Sequence, residues 1–269
     1  MRLSIRHTTR YAYDQPVAHG LLRLRMRPKP THGQQVIDWT MDLDGARFET
    51  EFDDHHHNHI NLVSIGAGAP SLEITCSGTI ETSDKAGILG PHHGSMPLWA
   101  FERQTPLTRP GTAMKALAHA CQQVDRLATL HALSKATLDQ ASYEIGHTGV
   151  GTTAEEALTA GHGVCQDHAH IFIGCARALG IPARYVSGYL MMNDRVDQEA
   201  THGWAEAHVD GLGWVGFDVS NGISPDARYV RVATGFDYRD AAPVTGLSWG
   251  GGKAALAVTL AVEQQTAEQ

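Results

Sequence analysis

The chain has 269 residues, 42% of them hydrophobic and 19% charged, which is typical of a globular protein and excludes a disordered one. A formal net charge of −8 disfavours nucleic acid as a partner. No stretch approaches the roughly 18 apolar residues of a membrane-spanning helix, and the first residues lack a signal-peptide core. The four cysteines show neither a disulfide framework nor C-x-x-C spacing. We therefore expect a cytoplasmic protein with free thiols, no cofactor and no membrane partner.

The first hundred residues have the two-residue periodicity of β-strands. Apolar and polar side chains alternate over 3–13, 22–27 and 37–43, with turn residues between these runs. This pattern predicts an antiparallel sandwich or barrel-like module over residues 1–105, whose free strand edges would permit a homo-oligomer. Seven basic residues in this region form either a solvated strand face or a positive patch for an acidic partner: Arg2, Arg6, Arg10, Arg23, Arg25, Arg27 and Lys29.

The periodicity changes after residues 83–110, a Gly-, Pro- and His-rich segment predicted to be a linker with an apolar anchor at Leu98, Trp99 and Phe101. Helical spacing follows over 114–124 and, more weakly, 130–140. Thr153 and Glu156 have the spacing of a capping box, and a further helix should begin near Val164. Strands are predicted at 183–192, 202–209, 214–218, 229–233, 243–249 and 255–262, and the last six residues should be frayed. Residues 106–269 therefore read as an α+β core.

A cysteine stands at the predicted start of the helix near residue 164, where residues 161–167 read GHGVCQD. The unpaired backbone N–H groups and the positive end of the helix dipole favour a thiolate at Cys165. The two glycines, Gly161 and Gly163, allow a sharp turn and close approach of a substrate. Backbone N–H groups beside the sulfur could also stabilise an oxyanion. The pattern predicts a nucleophilic cysteine.

A histidine and an aspartate lie on two neighbouring predicted strands. His202 opens the strand over 202–209, and Asp218 ends the strand over 214–218, with Gly211 and Gly213 in the turn between them. Folding about Gly211 places position 202 opposite about 220, close to Asp218. An aspartate in that place can orient the imidazole while the other ring nitrogen meets the thiol. The sequence therefore predicts a Cys165–His202–Asp218 triad.

These motifs resemble the bacterial transglutaminase-like family, whose members are described as cysteine proteases. The resemblance rests on GHGVCQDHAHIFIGCARALGIPARYVSGY, on THGWAEAHVDGLGWVGFDVSNG and on the basic amino-terminal strands, and it extends over nearly the whole chain. It implies a β-rich amino-terminal region before a papain-like, transglutaminase-like α+β core, with Cys165 as nucleophile, His202 as base and Asp218 as orienting residue. The sequence departs from the family pattern at His168, where an aromatic residue is common, and at Val219-Ser220, which replaces a frequent Pro-Thr.

Three further residues are candidates for supporting roles. Asp167 can cap the nucleophile helix or be a solvated acid of its first turn, and Gln166 can position substrate or be exposed. Trp204 can border the substrate site, although packing within the hairpin is the commoner role of such a residue. His168, one turn beyond Cys165, could alter the local electrostatics or the fit of a substrate.

The predicted activity is hydrolysis of an amide bond in a peptide or protein through a thioester acyl-enzyme. Transfer of the acyl group to an amine is the alternative chemistry of the same triad. A different class of function is metal binding by the run His55-His56-His57 with His59, although no metalloprotease spacing occurs and the predicted metal ligand set is none. A non-catalytic binding module remains as the third hypothesis.

Overall fold

The computed structural model describes residues 1–198 and 200–265. The expected fraying at the chain end falls mostly on 266–269, which lie outside the described residues. Five strands form most of the amino-terminal region: β1 (Arg2–Leu24), β2 (Gln34–Asp44), β3 (Ala46–Asp53), β4 (His59–Ile65) and β5 (Ala69–Thr82). The side chains of β1, β4 and β5 alternate between buried and exposed, as the predicted strand periodicity requires, whereas β3 is exposed along nearly its whole length. β1 also runs without a break through the turn predicted between 3–13 and 22–27.

The middle of the chain contains short strands and most of the helices. In chain order these are β6 (Ile88–Gly90), a 3-10 helix (Leu98–Glu102), α1 (Thr112–Cys121), α2 (Arg126–Gln140), β7 (Ser142–Tyr143), α3 (Ala154–Ala160), β8 (His162–Gly163) and α4 (Cys165–Ala178). The predicted capping box of α3 is confirmed, because Thr153 and Glu156 exchange hydrogen bonds at its first turn. Val124 was predicted to lie on a helix, but it is fully exposed between α1 and α2, because Gln122 already ends α1 with extended backbone.

The last third of the chain is again rich in strands: β9 (Ala183–Leu190), β10 (Asp197–Gln198), β11 (His202–Val209), β12 (Gly213–Phe217), β13 (Tyr229–Gly235), the short helix α5 (Tyr238–Ala241), β14 (Val244–Gly250) and β15 (Ala254–Gln264). Gly211 and Gly213 both have positive φ in the turn between β11 and β12, as a tight hairpin requires. The predicted hairpin is therefore confirmed.

Two antiparallel sheets contain all of these strands except β7 and β8, which form a short parallel pair. In the eight-stranded sheet, the first half of β1 pairs with β5 and β15, and the second half pairs with β4 and β14. The five-stranded sheet has the order β13-β9-β11-β12-β6. The strands nearest the two ends of the chain, β1 and β15, thus lie in one sheet. Strands from after residue 105 pair in the sheet of the first region, and β6, from before residue 105, pairs with β12 of the second region. The boundaries 1–105 and 106–269 stay a prediction.

The segment over 83–110 is more integrated than the linker predicted from its composition. β6 pairs with β12 at the edge of the five-stranded sheet, and Phe101 is buried against Trp214. Trp99, predicted to be part of the anchor, is instead 62% exposed. Composition misled here because Gly and Pro mark turns but do not report whether the residues between them add a strand edge.

A helix packed on the five-stranded sheet forms the main core. α4 packs against β11, and its apolar side chains join those of α1, α2 and α3 in one buried cluster. A second buried cluster joins the two sheets, with Leu3 and Ile5 of β1 against Tyr189 and Val230. This is the expected α+β, papain-like arrangement of a helix-borne cysteine on an antiparallel sheet, after a strand-rich amino-terminal region. None of the helices within the described residues is both long and apolar enough to cross a membrane.

Candidate active site

Cys165 is the first residue of α4 and is only partly buried. Gly161 ends α3 in the left-handed conformation, φ 77°, and the chain then runs through β8 into α4. A Cβ on Gly163 would press against the side chain of Asp167, so glycine is needed for this close approach. The sulfur therefore lies where the first backbone N–H groups of α4 have no partner within the helix. This is the position that the sequence predicted.

Asp167 holds the start of the nucleophile helix in place. Its Oδ2 accepts the backbone N–H of Val164 at 2.9 Å and the hydroxyl of Thr148 at 2.6 Å, and the residue is 1% exposed. This carboxylate stands at position N3 and reaches back to the N-cap residue as in one half of a capping box, because Val164 has no side-chain acceptor for the return bond. Thr148 lies in the loop before α3 and carries no sequence signal for this role.

His202 and Asp218 meet across the β11–β12 hairpin. The register pairs Ala205 with Phe217, so continuing it brings the start of β11 beside the residue that follows β12. His202 Nε2 lies 2.6 Å from Asp218 Oδ2. Asp218 is fully buried, and the side chain of His202 is 10% exposed. The predicted meeting of these two residues is present in the structure.

Two residues that the sequence did not single out complete the surroundings of Asp218. Asn221 Nδ2 and the hydroxyl of Tyr229 each donate to Asp218 Oδ2 at 2.6 Å. Burial favours the neutral acid, but the hydrogen bonds and charge of His202, together with these two donors, outweigh it and hold the pKa of Asp218 below its usual value. Asn221 follows Asp218 by three residues in a turn, which is a recognisable pattern. Tyr229 comes from β13, and only the fold brings it here.

His202 and Cys165 line the same cleft, where the ring and the sulfur are neighbours. Burial by itself lowers the pKa of His202, but the hydrogen bond and charge of Asp218, together with the influence of Cys165, raise it to about 10. Because Nε2 is directed at Asp218, Nδ1 is the ring nitrogen that remains for the sulfur. At neutral pH the geometry thus favours an imidazolium that is paired with the Asp218 carboxylate and lies beside the sulfur of Cys165.

Three tyrosines surround the cysteine. Burial raises the pKa of Tyr143, Tyr185 and Tyr238, and the negative charge of Cys165 raises each further. A Cβ on Gly203 would overlap the hydroxyl of Tyr185, so the glycine next to His202 makes room for this ring. These tyrosines were not identified from the sequence, because they come from β7, β9 and α5.

The other predicted supporting residues lie close to the triad but differ in exposure. Gln166, the residue after Cys165, is 8% exposed and lines the same cleft. Trp204 is 3% exposed, and its ring stacks near that of His202 with centroids 6.1 Å apart. It packs with Val186, Leu190 and Tyr229 in a small apolar cluster. Trp204 therefore packs beside the ring of His202 and does not line the cleft.

An open cleft of about 930 Å³ contains Cys165 and His202. Apolar side chains on its walls include Ile145, Leu190 and Met192, and polar groups are contributed by Arg195, Asp197, Gln198, Ser220 and Asn221. This volume falls in the range of sites that hold small molecules or several residues of an extended peptide. Cys165 and His202 are thus both reached from this cleft.

The histidines near residue 55 do not form one cluster: the rings of His55 and His56 pack against each other, with centroids 4.3 Å apart, and His59 has other partners. His56 is buried and its Nε2 lies 3.7 Å from Asp240, whereas His59 pairs with Glu51 and Asp53 on the surface. Within residues 1–198 and 200–265, no group of three or more His, Cys, Asp or Glu side chains is arranged to hold a metal ion.

Fold and site together define a class: a half-buried cysteine at a helix N-terminus, facing a histidine and an aspartate of an antiparallel sheet, on a papain-like α+β core. Residues 115–219 match the model of the transglutaminase-like superfamily, and residues 3–81 match that of the bacterial transglutaminase-like N-terminal region. The two matches cover more than half of the chain. The protein belongs to this transglutaminase-like family. This membership supports a cysteine-based hydrolase or acyltransferase as its general functional class.

Relatives with a similar length accompany these matches. An uncharacterized protein of Mycobacterium leprae is 27% identical over 277 residues, covering 97% of this chain and 98% of its own. An uncharacterized protein of Mycobacterium bovis is 27% identical over 275 residues, covering 91% and 87%. Among solved structures, a "Putative Cysteine Protease from Cytophaga hutchinsonii" superposes with a TM-score of 0.75 at 22% identity, covering 99% of this chain and 92% of that one. At this identity the superposition shows a shared fold.

Proposed function

We propose that this protein is a cysteine-nucleophile hydrolase, a peptidase or amidase, that cleaves an amide bond through a thioester acyl-enzyme on Cys165, His202 and Asp218. One observation carries the proposal: His202 contacts the buried carboxylate of Asp218 at 2.6 Å and shares an open cleft with the cysteine at the start of α4. A structural histidine has no need of a half-exposed thiol in an open cleft, whereas a catalytic one does.

The chemistry follows from these positions. The Cys165 thiolate adds to the substrate carbonyl, and backbone N–H groups at the start of α4 are placed to stabilise the oxyanion. The C–N bond breaks as His202 gives its proton to the leaving amine, which leaves a thioester and a neutral imidazole. Water then attacks the thioester, His202 takes the proton of that water, and the C–S bond breaks to release the acid. Asp218 stays ionised and orients the ring.

Hydrolysis is favoured over acyl transfer to an amine because the cleft is open to water. Cys165 is partly exposed, and the cleft of about 930 Å³ has polar walls on one side. Transamidation requires a site that excludes water and positions an amine. Adding a primary amine acceptor to the assay distinguishes the two, since a transferase forms the amide product in place of the acid.

Alkylation with iodoacetamide at pH 6 tests the nucleophile. We expect selective labelling of Cys165, because burial raises the pKa of Cys121, Cys175 and Cys76, the last to about 12. The variant His202→Ala should slow the labelling of Cys165 without accelerating that of Cys121. Equal reactivity of Cys165 in both proteins would remove the basis for an activated thiol.

Turnover is tested by incubation with a library of peptide amides. The wild-type protein should release amines, and Cys165→Ala should keep its fold and release none. Turnover by Cys165→Ala would refute the assignment of the nucleophile. Acid products in the presence of an added amine support the hydrolase, whereas amide products support the transferase.

A further inference from the structure

A second cavity, of about 660 Å³, lies away from the catalytic cleft. Its walls come from the chain after β1, from the β3–β4 connection, from residues 89–94 and from Arg184, Trp214 and Arg231 of the five-stranded sheet. As far as the described residues show, its lining and that of the cleft have no residue in common. The cavity therefore needs an explanation of its own.

The cavity lies on the face of the sheet opposite the nucleophile helix. Arg184 and Glu206 are cross-strand partners, and they alternate with Tyr185 and Ala205, which pack in the cluster around α4. Because successive side chains of a strand point to opposite faces, Arg184 and Glu206 point away from α4.

Positive charge exceeds negative charge beneath this cavity. Glu206 is fully buried and pairs with Arg184 Nε at 2.5 Å and with Arg231 Nε at 2.7 Å. The amine of Lys29 is buried beside them, and within the described residues its Nζ donates to neutral oxygens, those of His56 and Thr234. Burial lowers the pKa of Lys29 well below its usual value, and the charges of Arg231 and Arg184 lower it further. One carboxylate thus faces two guanidinium groups, and a bound anion would favour the protonated form of the Lys29 amine beside them.

The nearby acids are engaged elsewhere. Asp53 lines the cavity but pairs with His59 at 3.3 Å, and Asp54 lies 3.6 Å from Arg25 and accepts backbone N–H groups. An excess of buried positive charge is costly unless a counter-ion offsets it. Arg27 adds a further, exposed cation at the rim.

Preformed donor groups of Arg184 remain available in the cavity. Arg184 donates through Nε to Glu206, and its two terminal nitrogens have no hydrogen-bond acceptor among residues 1–198 and 200–265. Its guanidinium lies 3.8 Å from the centroid of the Trp214 ring, which fixes the plane of the fork. Gln34 bonds to backbone groups of both Lys29 and Arg231, so the loop that carries Lys29 is tied to β13.

From this geometry we propose that the cavity binds a small, multiply charged anion, one carrying phosphate or carboxylate groups, on Arg184, Arg231 and Lys29, with Arg27 at the rim. Guanidinium forks match the oxygen pairs of both groups, and the volume lies within the range of small-molecule sites. The anion supplies the second negative charge that Arg184 and Arg231, which share Glu206, lack. The site is independent of the proposed reaction.

Isothermal titration calorimetry of the full chain with pyrophosphate and, separately, citrate at matched ionic strength tests this. We expect one equivalent of anion to bind. The anion that binds more tightly shows whether phosphate or carboxylate is the preferred group. Arg27→Glu should weaken binding by about tenfold or more, since it reverses a charge at the rim. Arg10→Glu makes the same change of charge on an exposed strand position outside the cavity and should have less than about a twofold effect. Cys165→Ala should bind as the wild type does.

A second measurement needs no variant, so its outcome does not depend on whether a variant folds. Phenylglyoxal modifies accessible arginines, and mass spectrometry reports the rate at each site. The bound anion should slow modification of Arg184 and leave that of Arg10 unchanged. Absence of binding by both anions, equal weakening by Arg27→Glu and Arg10→Glu, or no protection of Arg184 would overturn the proposal.

Discussion

His168 Nδ1 lies 2.8 Å from the hydroxyl of Ser220. Both residues stand at positions where the sequence departs from its family pattern. His168 lies on the nucleophile helix, and Ser220 lies two positions after Asp218. His168 is fully buried, and burial lowers its pKa, so the ring is neutral at physiological pH. The two departures therefore form one contact that ties α4 to the loop after β12.

Replacing Ser220 by Ala should destabilise the protein. The change leaves Nδ1 of the buried His168 without its partner, which costs about 1–3 kcal/mol in the free energy of unfolding. Urea denaturation measures it. Ser224→Ala, in the same loop, removes a hydroxyl that makes no hydrogen bond within the described residues and serves as the control. Equal midpoints for the two variants would mean that the His168–Ser220 contact contributes nothing.

Asp218→Asn should lower turnover of an amide substrate by roughly 10³–10⁴-fold, because the neutral amide no longer stabilises the imidazolium of His202 or selects its tautomer. Tyr229→Phe removes one of the donors to the same oxygen and should lower turnover by about tenfold, in line with one lost hydrogen bond to a charged group. Both rates are measured under saturating substrate. A smaller effect of Asp218→Asn than of Tyr229→Phe would contradict the role assigned to the carboxylate.

The stability of the protein should depend on pH through His202. The folded state raises the pKa of His202 to about 10, above the value of about 6.5 for an unfolded histidine. The protonated ring therefore stabilises the fold fully below about pH 6.5, and this contribution disappears as pH rises toward 10. The difference in melting temperature between wild type and His202→Gln should shrink over that interval. A constant difference from pH 6 to pH 10 would rule out the raised pKa.

Asp167→Ala should remove a helix cap and about 1 kcal/mol of stability, and it should also slow alkylation of Cys165, since the start of α4 carries the sulfur. Glu156→Ala removes the equivalent capping group of α3, whose hydrogen bonds hold Thr153. This control should leave the alkylation rate unchanged. Thermal denaturation and iodoacetamide kinetics give the two readouts. Equal alkylation rates for both variants would show that Asp167 is structural only.

Gly203→Ala should disrupt the site, because the new Cβ overlaps the hydroxyl of Tyr185. Tyr185 is 2% exposed and cannot turn out of the way. We expect a loss of soluble protein or of alkylation at Cys165. Adding Tyr185→Phe removes the overlapping oxygen and should restore part of the stability, as measured by thermal denaturation. Failure of the double variant to recover would point to another cause.

Local signals in the sequence were enough to predict much of the fold. The apolar repeat and glycine stops predicted α4, the spacing of Thr153 and Glu156 predicted the cap of α3, and the paired glycines predicted the β11–β12 hairpin. Each of these depends on residues within a turn or two of one another. The register of the hairpin then places His202 beside Asp218, so the sequence also indicated this contact.

Long-range contacts carried no such signal. The pairing of β15 with β1 joins residues more than 240 positions apart, and β6 was taken for part of a linker. The arginine and lysine residues near the start of the chain alternated as on a solvated strand, yet Lys29 is buried. Whether an alternating residue faces water depends on what packs over that face.

The sequence by itself determined the elements that local signals mark, among them α3, α4 and the β11–β12 hairpin, because capping, periodicity and turn chemistry act over a few residues. Only the tertiary structure decided what surrounds the site residues. It places Tyr229 and Asn221 against Asp218, Thr148 against Asp167, and Glu206 between Arg184 and Arg231. Burial and charge at a site are sums over neighbours from distant parts of the chain, and those neighbours become known only when the sheets are assembled.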